Sequence, residues 1–197
     1  MKKRIAFFDF DGTITTKDSL LAFIIFREGM LRTLLGLMMI SPYYLAYILR
    51  IIPVQTAKEK VLKYFLKNLS SEKFQSDCNQ FASTTLLTLL RPKALNEIKR
   101  LQEESVVIVV ISASPENWLR PWTGRIGADV LATHLEIKNG KLTGKIEGKN
   151  CRGKEKVRRI MNSYDLSQYD EVYCYGDTKG DKPMLRLATH AFYRPFR

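Results

Sequence analysis

Cysteine and histidine are scarce in this chain. There are three cysteines, Cys78, Cys151 and Cys174, and two histidines, His134 and His190. The cysteines lie far apart and are odd in number. They show neither a disulfide framework nor zinc-ligand spacing, which fits a reducing compartment. Neither histidine has a second His or Cys nearby at ligand spacing, so both read as structural or surface residues. Acidic residues are also outnumbered, with 20 Asp and Glu against 32 Lys and Arg, a net charge of +12. That balance favours anionic partners: phosphorylated metabolites, an anionic lipid surface or nucleic acid. A secretory leader is not expected either. The opening MKKRIAFFDFDG is basic and then apolar, but the apolar run is short and Asp9 and Asp11 break it. The expected location is cytoplasmic.

What is present is an ordered alternation. At 197 residues the chain is long enough for one well-cored domain. Ile5 to Phe10 reads as a buried strand, short, aromatic and branched. From about Lys17 to Leu90 the pattern changes to helical spacing, as in Val61, Leu62, Phe65, Leu66 and Leu69. Pro92 opens another helix with Ala94, Leu95, Ile98 and Leu101 on one face. Ser105 to Ser112, SVVIVVIS, reads as a buried parallel strand. Pro115 is expected as the first residue of the next helix, with Ser114 as its N-cap. THLEIKNGKLTGKIEG reads as a hairpin turning at Asn139-Gly140, with Leu135, Ile137, Leu142 and Ile146 on its strands. A basic helix over Gly153 to Met161, a strand over Glu171 to Asp177, a helix over Asp181 to Ala188 and a short strand over Ala191 to Tyr193 complete the pattern. Such alternation predicts an α/β fold with a parallel sheet.

In parallel sheets ligands bind at the carboxyl ends of the strands. Three predicted strands end in polar chemistry: Asp9 and Asp11, Ser112, and Gly176-Asp177. Asp9, Asp11, Asp177 and Asp181 gathered at one edge would repel and raise one another's pKa. A divalent cation relieves that, and oxygen ligands without His or Cys favour magnesium. Gly12 permits close backbone approach, so amides near Gly12 and Thr13 can face an anion. Ser112 offers a hydroxyl, and Lys154 or Lys156 an ammonium. Together these make a phosphoryl-transfer kit. Singly, each has an ordinary reading: a turn, an N-cap, a solvated basic face.

The motifs DFDGT at Asp9–Thr13, ISAS at Ile111–Ser114, CRGKEKV, and YGDTKGD at Tyr175–Asp181 resemble, in order, the four motifs of the haloacid-dehalogenase-like (HAD) superfamily of phosphatases. The resemblance implies a Rossmann-like core at residues 1–16 and 88–197, with a small helical cap at 17–87 after the first strand. The helical stretch resembles the cap of subfamily IB, which includes phosphoserine phosphatase. NCRGKEKVRRI and YGDTKGDKPML look closer to a bacterial branch that includes phosphatidylglycerophosphate phosphatases. By position, Asp9 would be the nucleophile that forms an aspartyl-phosphate. Asp11 would protonate the leaving oxygen and then activate water. Asp9, Asp177 and the backbone carbonyl of Asp11 would hold magnesium. Ser112 and a lysine would grip the phosphoryl oxygens, and Asp181 would support. Where phosphoserine phosphatase has that lysine directly before the helix glycine, this chain has Arg152. Lys156 is preferred, with Lys154 and Arg152 open. The implied activity is a magnesium-dependent phosphomonoesterase. Its substrate is a lipid phosphate or a small ester such as phosphoserine. Rivals from other classes are a phospho-aspartate receiver domain and a nucleic-acid module. The dense basic run Lys154, Lys156, Arg158 and Arg159 lies beside the proposed site, so no nucleic-acid partner is expected.

One uncharged stretch, Thr33 to Leu49, is bracketed by Arg32 and Arg50 and falls just short of the ~20 residues a span needs. A single crossing would separate Asp9 from Ser112 and Asp177. Pro42 is expected to break the helix. Two readings follow: a buried helical hairpin of the cap, or a peripheral contact with the inner face of the cell membrane. Oligomeric state is not read from the sequence.

Overall fold

The computed structural model describes residues 2–197. Its six strands form one sheet: β1 (Arg4–Asp9), β2 (Val107–Pro115), β3 (Asp129–Lys138), β4 (Lys141–Glu147), β5 (Glu171–Gly176) and β6 (His190–Tyr193). The order is β4-β3-β2-β1-β5-β6. All neighbours are parallel except β3 and β4. This is the expected α/β, Rossmann-like sheet. β1 sits between β2 and β5, so the three strands that end in polar residues are adjacent.

Period-two geometry sends alternate side chains of a central strand to opposite faces. Ala6, Phe8, Ile108 and Val110 join one buried cluster, while Ile5, Phe7, Val109 and Ile111 join another. Both faces of β1 and β2 are therefore dry. That is why these strands are apolar runs without polar alternation.

Between β1 and β2 lie α1 (Ser19–Glu28), α2 (Met30–Ile48), α3 (Val54–Leu66), α4 (Ser71–Ser83), α5 (Thr85–Leu89) and α6 (Pro92–Glu103). The chain enters and leaves the first five helices at one point. Thr15 bridges Leu90, Thr16 N–H donates to Leu89 C=O at 2.8 Å, and Arg91 N–H donates to Ile14 C=O at 2.8 Å. Phe23 of α1 stacks on Trp118 with ring centres 4.8 Å apart, which fastens this insert to α7 (Glu116–Arg125).

Several expectations are corrected. Thr33 to Leu49 is no buried hairpin. Up to Ile48 it lies in one continuous helix, α2, with Leu49 as the C-cap, and only Thr33, Gly36 and Ile40 of that helix are buried. Pro42 does not break it. The proline leaves the Met38 carbonyl without its helical donor, and the Ser41 hydroxyl donates to that carbonyl at 2.8 Å. Gly36 allows the crossing with α3, since any β-carbon there would run into the rings of Phe65 and Tyr64. α2 is also long and apolar enough to cross a membrane, by length and composition alone.

Ser114 is not an N-cap. β2 continues through Pro115, whose ψ of 137° is extended, and α7 begins at Glu116. The helix expected from Asp181 is only a short turn at Lys179–Asp181 followed by α9 (Lys182–Leu185). The hairpin forms with Leu135 opposite Ile146 and Ile137 opposite Leu142. Ile137 is nonetheless exposed, although its partner Leu142 is buried.

Candidate active site

The loop after β1 decides the site's shape. Asp9 ends the strand, and Phe10–Ile14 makes one wide turn in which Gly12 has φ +84°. That left-handed value suits glycine. Space demands it too: a β-carbon at Gly12 would lie 2.5 Å from Asp177 Oδ2. Gly12 thus lets the end of β5 close on the end of β1. The Thr13 hydroxyl donates to Asp9 Oδ2 at 3.0 Å.

Lys156, on α8 (Lys154–Ser163), is buried and donates to Asp9 Oδ1 at 2.5 Å and to Asp181 Oδ1 at 2.7 Å. A buried ammonium is tolerated only with such partners. Burial works against its charge, yet Asp9 and Asp181 hold its pKa above the ordinary lysine value. Burial pushes Asp9 up to about 7 against the pull of Lys156, with Asp181 and Asp11 adding to the rise. Burial also presses on Asp181, but Lys156 and the donors of Thr178 keep it below its ordinary value. Lys154 is exposed, so the structure places Lys156, not Lys154, against Asp9.

Asp9, Asp177 and Asp181 offer carboxylate oxygens all within 4.8 Å of one another. Asp181 is already engaged: Oδ1 by Lys156, Oδ2 by Thr178 N–H at 2.9 Å and the Thr178 hydroxyl at 2.7 Å. Asp177 differs. Its Oδ2 pairs with Arg197, but its buried Oδ1 has no hydrogen-bond partner. A buried carboxylate oxygen without a hydrogen-bond partner, on a residue grouped with two other acids, is a ligand that a hard cation fits. The residues present therefore suit magnesium. Asp9 and Asp177 would hold it, with Asp181 too occupied to be more than a support.

The Asp11 side chain stands apart from that group. Its Oδ1 accepts from Ser19 N–H at 2.7 Å, and its Oδ2 from the Ser114 hydroxyl at 2.6 Å and the Ser112 hydroxyl at 3.3 Å. Ser112 is fully buried and also accepts from Ser114 N–H at 2.9 Å. Ser114, read from sequence as a cap, is thus part of the site.

A cavity of about 380 Å³ lies over these residues, reaching Asp9, Asp11, Lys156 and Asp181. The insert supplies part of its wall, including Lys58 of α3 and Tyr44 and Tyr47 of α2. Lys58 donates to Ala113 C=O at 2.5 Å and to Asn150 Oδ1 at 3.2 Å. Burial pushes its ammonium down to about 8, opposed by Asp11 and Asp18. Arg152 lines the cavity too.

Sequence reading missed Ser19, Lys58, Asn150, Ser114, Thr178 and Arg197. Only Thr178 had a local signal: Thr178-x-x-Asp181 is a capping box, and the structure forms it. His134 pairs with Glu116 at 2.9 Å, and His190 stacks on Tyr173.

Carboxylates on the loop after β1, hydroxyls near the end of β2, a lysine on α8 and acids after β5 thus meet at one edge of the sheet. The chain belongs to the haloacid dehalogenase-like hydrolases, whose family model matches residues 6–186. It is 34% identical to protein CicA of Caulobacter vibrioides over 192 residues, covering 96% of this chain and 85% of that one. Among solved structures it resembles a protein of unknown function from Bordetella pertussis. There the TM-score is 0.79 at 22% identity, over 96% of this chain and 88% of that one. It also resembles a phosphoserine phosphatase captured as a phospho-aspartyl intermediate analogue. There the TM-score is 0.62 at 22% identity, over 95% and 84% of the two chains. The chain is a hydrolytic enzyme, and its structural neighbours include phosphatases.

Proposed function

We propose that the chain is a magnesium-dependent phosphatase that hydrolyses a phosphomonoester through an aspartyl-phosphate on Asp9. One observation carries this reading: Lys156 bridges buried Asp9 and Asp181 while the Asp177 oxygen beside them lacks a partner. In the first step an Asp9 oxygen bonds to phosphorus and the ester P–O bond breaks. Asp11 gives a proton to the departing alcohol oxygen. In the second step Asp11 takes a proton from water, whose oxygen bonds to phosphorus as the Asp9–phosphorus bond breaks. Lys156 and Ser112 stabilise the phosphoryl oxygens by charge and hydrogen bonding. Bound at Asp9, Asp177 and the Asp11 carbonyl, magnesium would offset carboxylate repulsion and polarise the phosphoryl group. Gly12 and Thr13 set the loop that brings these groups together.

We read residues 17–87 as the cap of a subfamily IB enzyme, near the branch of phosphatidylglycerophosphate phosphatases. The preferred substrate is an amphiphilic phosphate ester. Supporting that choice, Leu31, Met38 and Met39 of α2 are 72%, 71% and 71% exposed. Monomeric soluble proteins seldom leave such a face open. With the net positive charge, it suits peripheral contact with the inner, anionic face of the cell membrane. A small polar ester such as phosphoserine is the second reading, favoured by the likeness to phosphoserine phosphatase.

The test is metal removal. Treating the protein with EDTA should abolish turnover of an aryl phosphate, and magnesium should restore it. Titration calorimetry should show magnesium binding that Asp177→Asn weakens at least tenfold. Full activity in EDTA would end the metal assignment.

A further inference from the structure

The catalytic cavity does not end at the polar residues. A second cavity, of about 460 Å³, opens beside it between α1, α2 and α3. Leu20, Ile40, Tyr44, Val61 and Asp18 line both, so the two spaces share a wall. Leu21, Ile24, Leu37 and Ser41 complete the second one. Its polar groups are few: Asp18, Ser41 and the Tyr44 hydroxyl. Asp18 is turned to its own helix, accepting from Leu21 N–H at 2.9 Å.

An apolar space joined to a phosphate site has a restricted set of occupants. Water gains few hydrogen bonds there. A polar or charged leaving group would lose its hydration without replacement. A hydrocarbon chain instead releases water from its own surface and from the wall. Such a chain, to reach this space while its phosphate lies at Asp9, must be part of the same molecule. Because Leu20, Ile40, Tyr44 and Val61 line both spaces, the two lie side by side within reach of one molecule.

We infer that the groove between α1, α2 and α3 seats a single alkyl chain of the substrate's alcohol, so that the enzyme selects phosphomonoesters by chain length. This rests on the phosphatase reading above and specifies its substrate class. The cavity at Asp9 takes the phosphate. Leu20, Ile40 and Val61 line the passage, and Leu21, Ile24 and Leu37 meet the chain.

The experiment uses the full chain with magnesium and a series of n-alkyl phosphates from ethyl to dodecyl, each below its micelle concentration. Each buried methylene is worth roughly three- to fourfold. We expect kcat/KM to rise at least a hundredfold from ethyl to octyl and then level as the groove fills. In Leu21→Gln/Leu37→Gln, both outside the fully buried core, the octyl-to-ethyl ratio measured in the same variant should fall at least tenfold. Turnover without chain-length dependence in the wild type overturns this inference and leaves the phosphatase reading standing. Turnover of no ester in the series, an aryl phosphate included, removes the phosphatase reading and this inference with it. Sedimentation provides a second arm. A wild-type dimer that Leu21→Gln/Leu37→Gln converts to monomer, with a flat chain-length series, would assign the groove to a second copy instead.

Discussion

The end of the sheet and the outer face of α2 break the usual burial rule in opposite directions. At the sheet's end, Asp9, Lys156, Asp177 and Asp181 are buried charges. On α2, Leu31, Leu34, Leu35, Met38 and Met39 are exposed hydrocarbon. Ordinary folding stability explains neither, since buried charge costs free energy and exposed apolar area forgoes a gain. The buried charges answer one another, with one oxygen left over at Asp177. The exposed apolar residues have no internal answer. On the proposed reading the first region takes a cation at that oxygen, and the second meets a partner outside the chain.

The largest effect should come from breaking the buried region at its reactive atom. Asp9→Asn keeps the shape but removes the nucleophile. Turnover of an aryl phosphate should fall on the order of 10⁴-fold or more, and acid-quenched labelling should no longer trap a phosphoryl-protein. Undiminished turnover would sink the assignment of Asp9. Gly12→Ala should come next. It forces a side chain into φ +84° and against Asp177 Oδ2. We expect a loss of about 1–2 kcal/mol in thermal or denaturant unfolding. Magnesium affinity by calorimetry should fall as well, because Asp177 must move away.

The two regions were unequally legible in the sequence. The acids were readable because a buried apolar strand that stops in carboxylates contradicts its own environment. Lys156 was readable in part from helical phase: it lies four residues before buried Ile160, on the inward face of α8, whereas Lys154 points out. Ser114, Lys58 and Arg197 carried no local signal. Their partners Asp11, Ala113 and Asp177 are joined to them by the fold or, for Arg197, by a turn of chain beyond β6. For α2 the apolar composition was visible but its exposure was not. Apolar sequence ordinarily implies burial, and only the tertiary structure shows that this face is left open. Pro42 misled for a similar reason, since the Ser41 hydroxyl repairs the bond that proline removes.

A smaller test checks whether ion pairs at the rim of the buried region act on stability, separate from chemistry. Glu155 is buried on α8 and pairs with Arg158 and Arg159. Hydrogen bonding from Arg158 first, then from Arg159, holds it down to about 2 against the effect of burial. A depressed acid stabilises the fold above its unfolded pKa of 4.5, and that contribution disappears as pH falls from there towards 2. Glu155→Gln should therefore cost about 1–2 kcal/mol at pH 7, with the difference shrinking to nothing near the acid end. A destabilisation independent of pH would show that packing, not charge, holds this corner.

The smallest effect on stability should come from the exposed region, and that smallness is the point. Replacing Leu31, Leu35 and Met38 with serine removes largely exposed hydrocarbon at a few tenths of a kcal/mol each in helix propensity, so stability should stay within about 1 kcal/mol of the parent. The same variant should lose most of its binding to vesicles containing anionic lipid, read by co-sedimentation, if the open face of α2 serves a membrane. Added salt should weaken the parent's binding as well, because part of the attraction is between basic residues and the lipid surface. A clear drop in stability would mean that the face is covered in solution, and the contrast with the sheet's end would then be one between two kinds of interior. Unchanged stability with lost vesicle binding would assign the open face of α2 to a membrane surface and not to the fold's own interior.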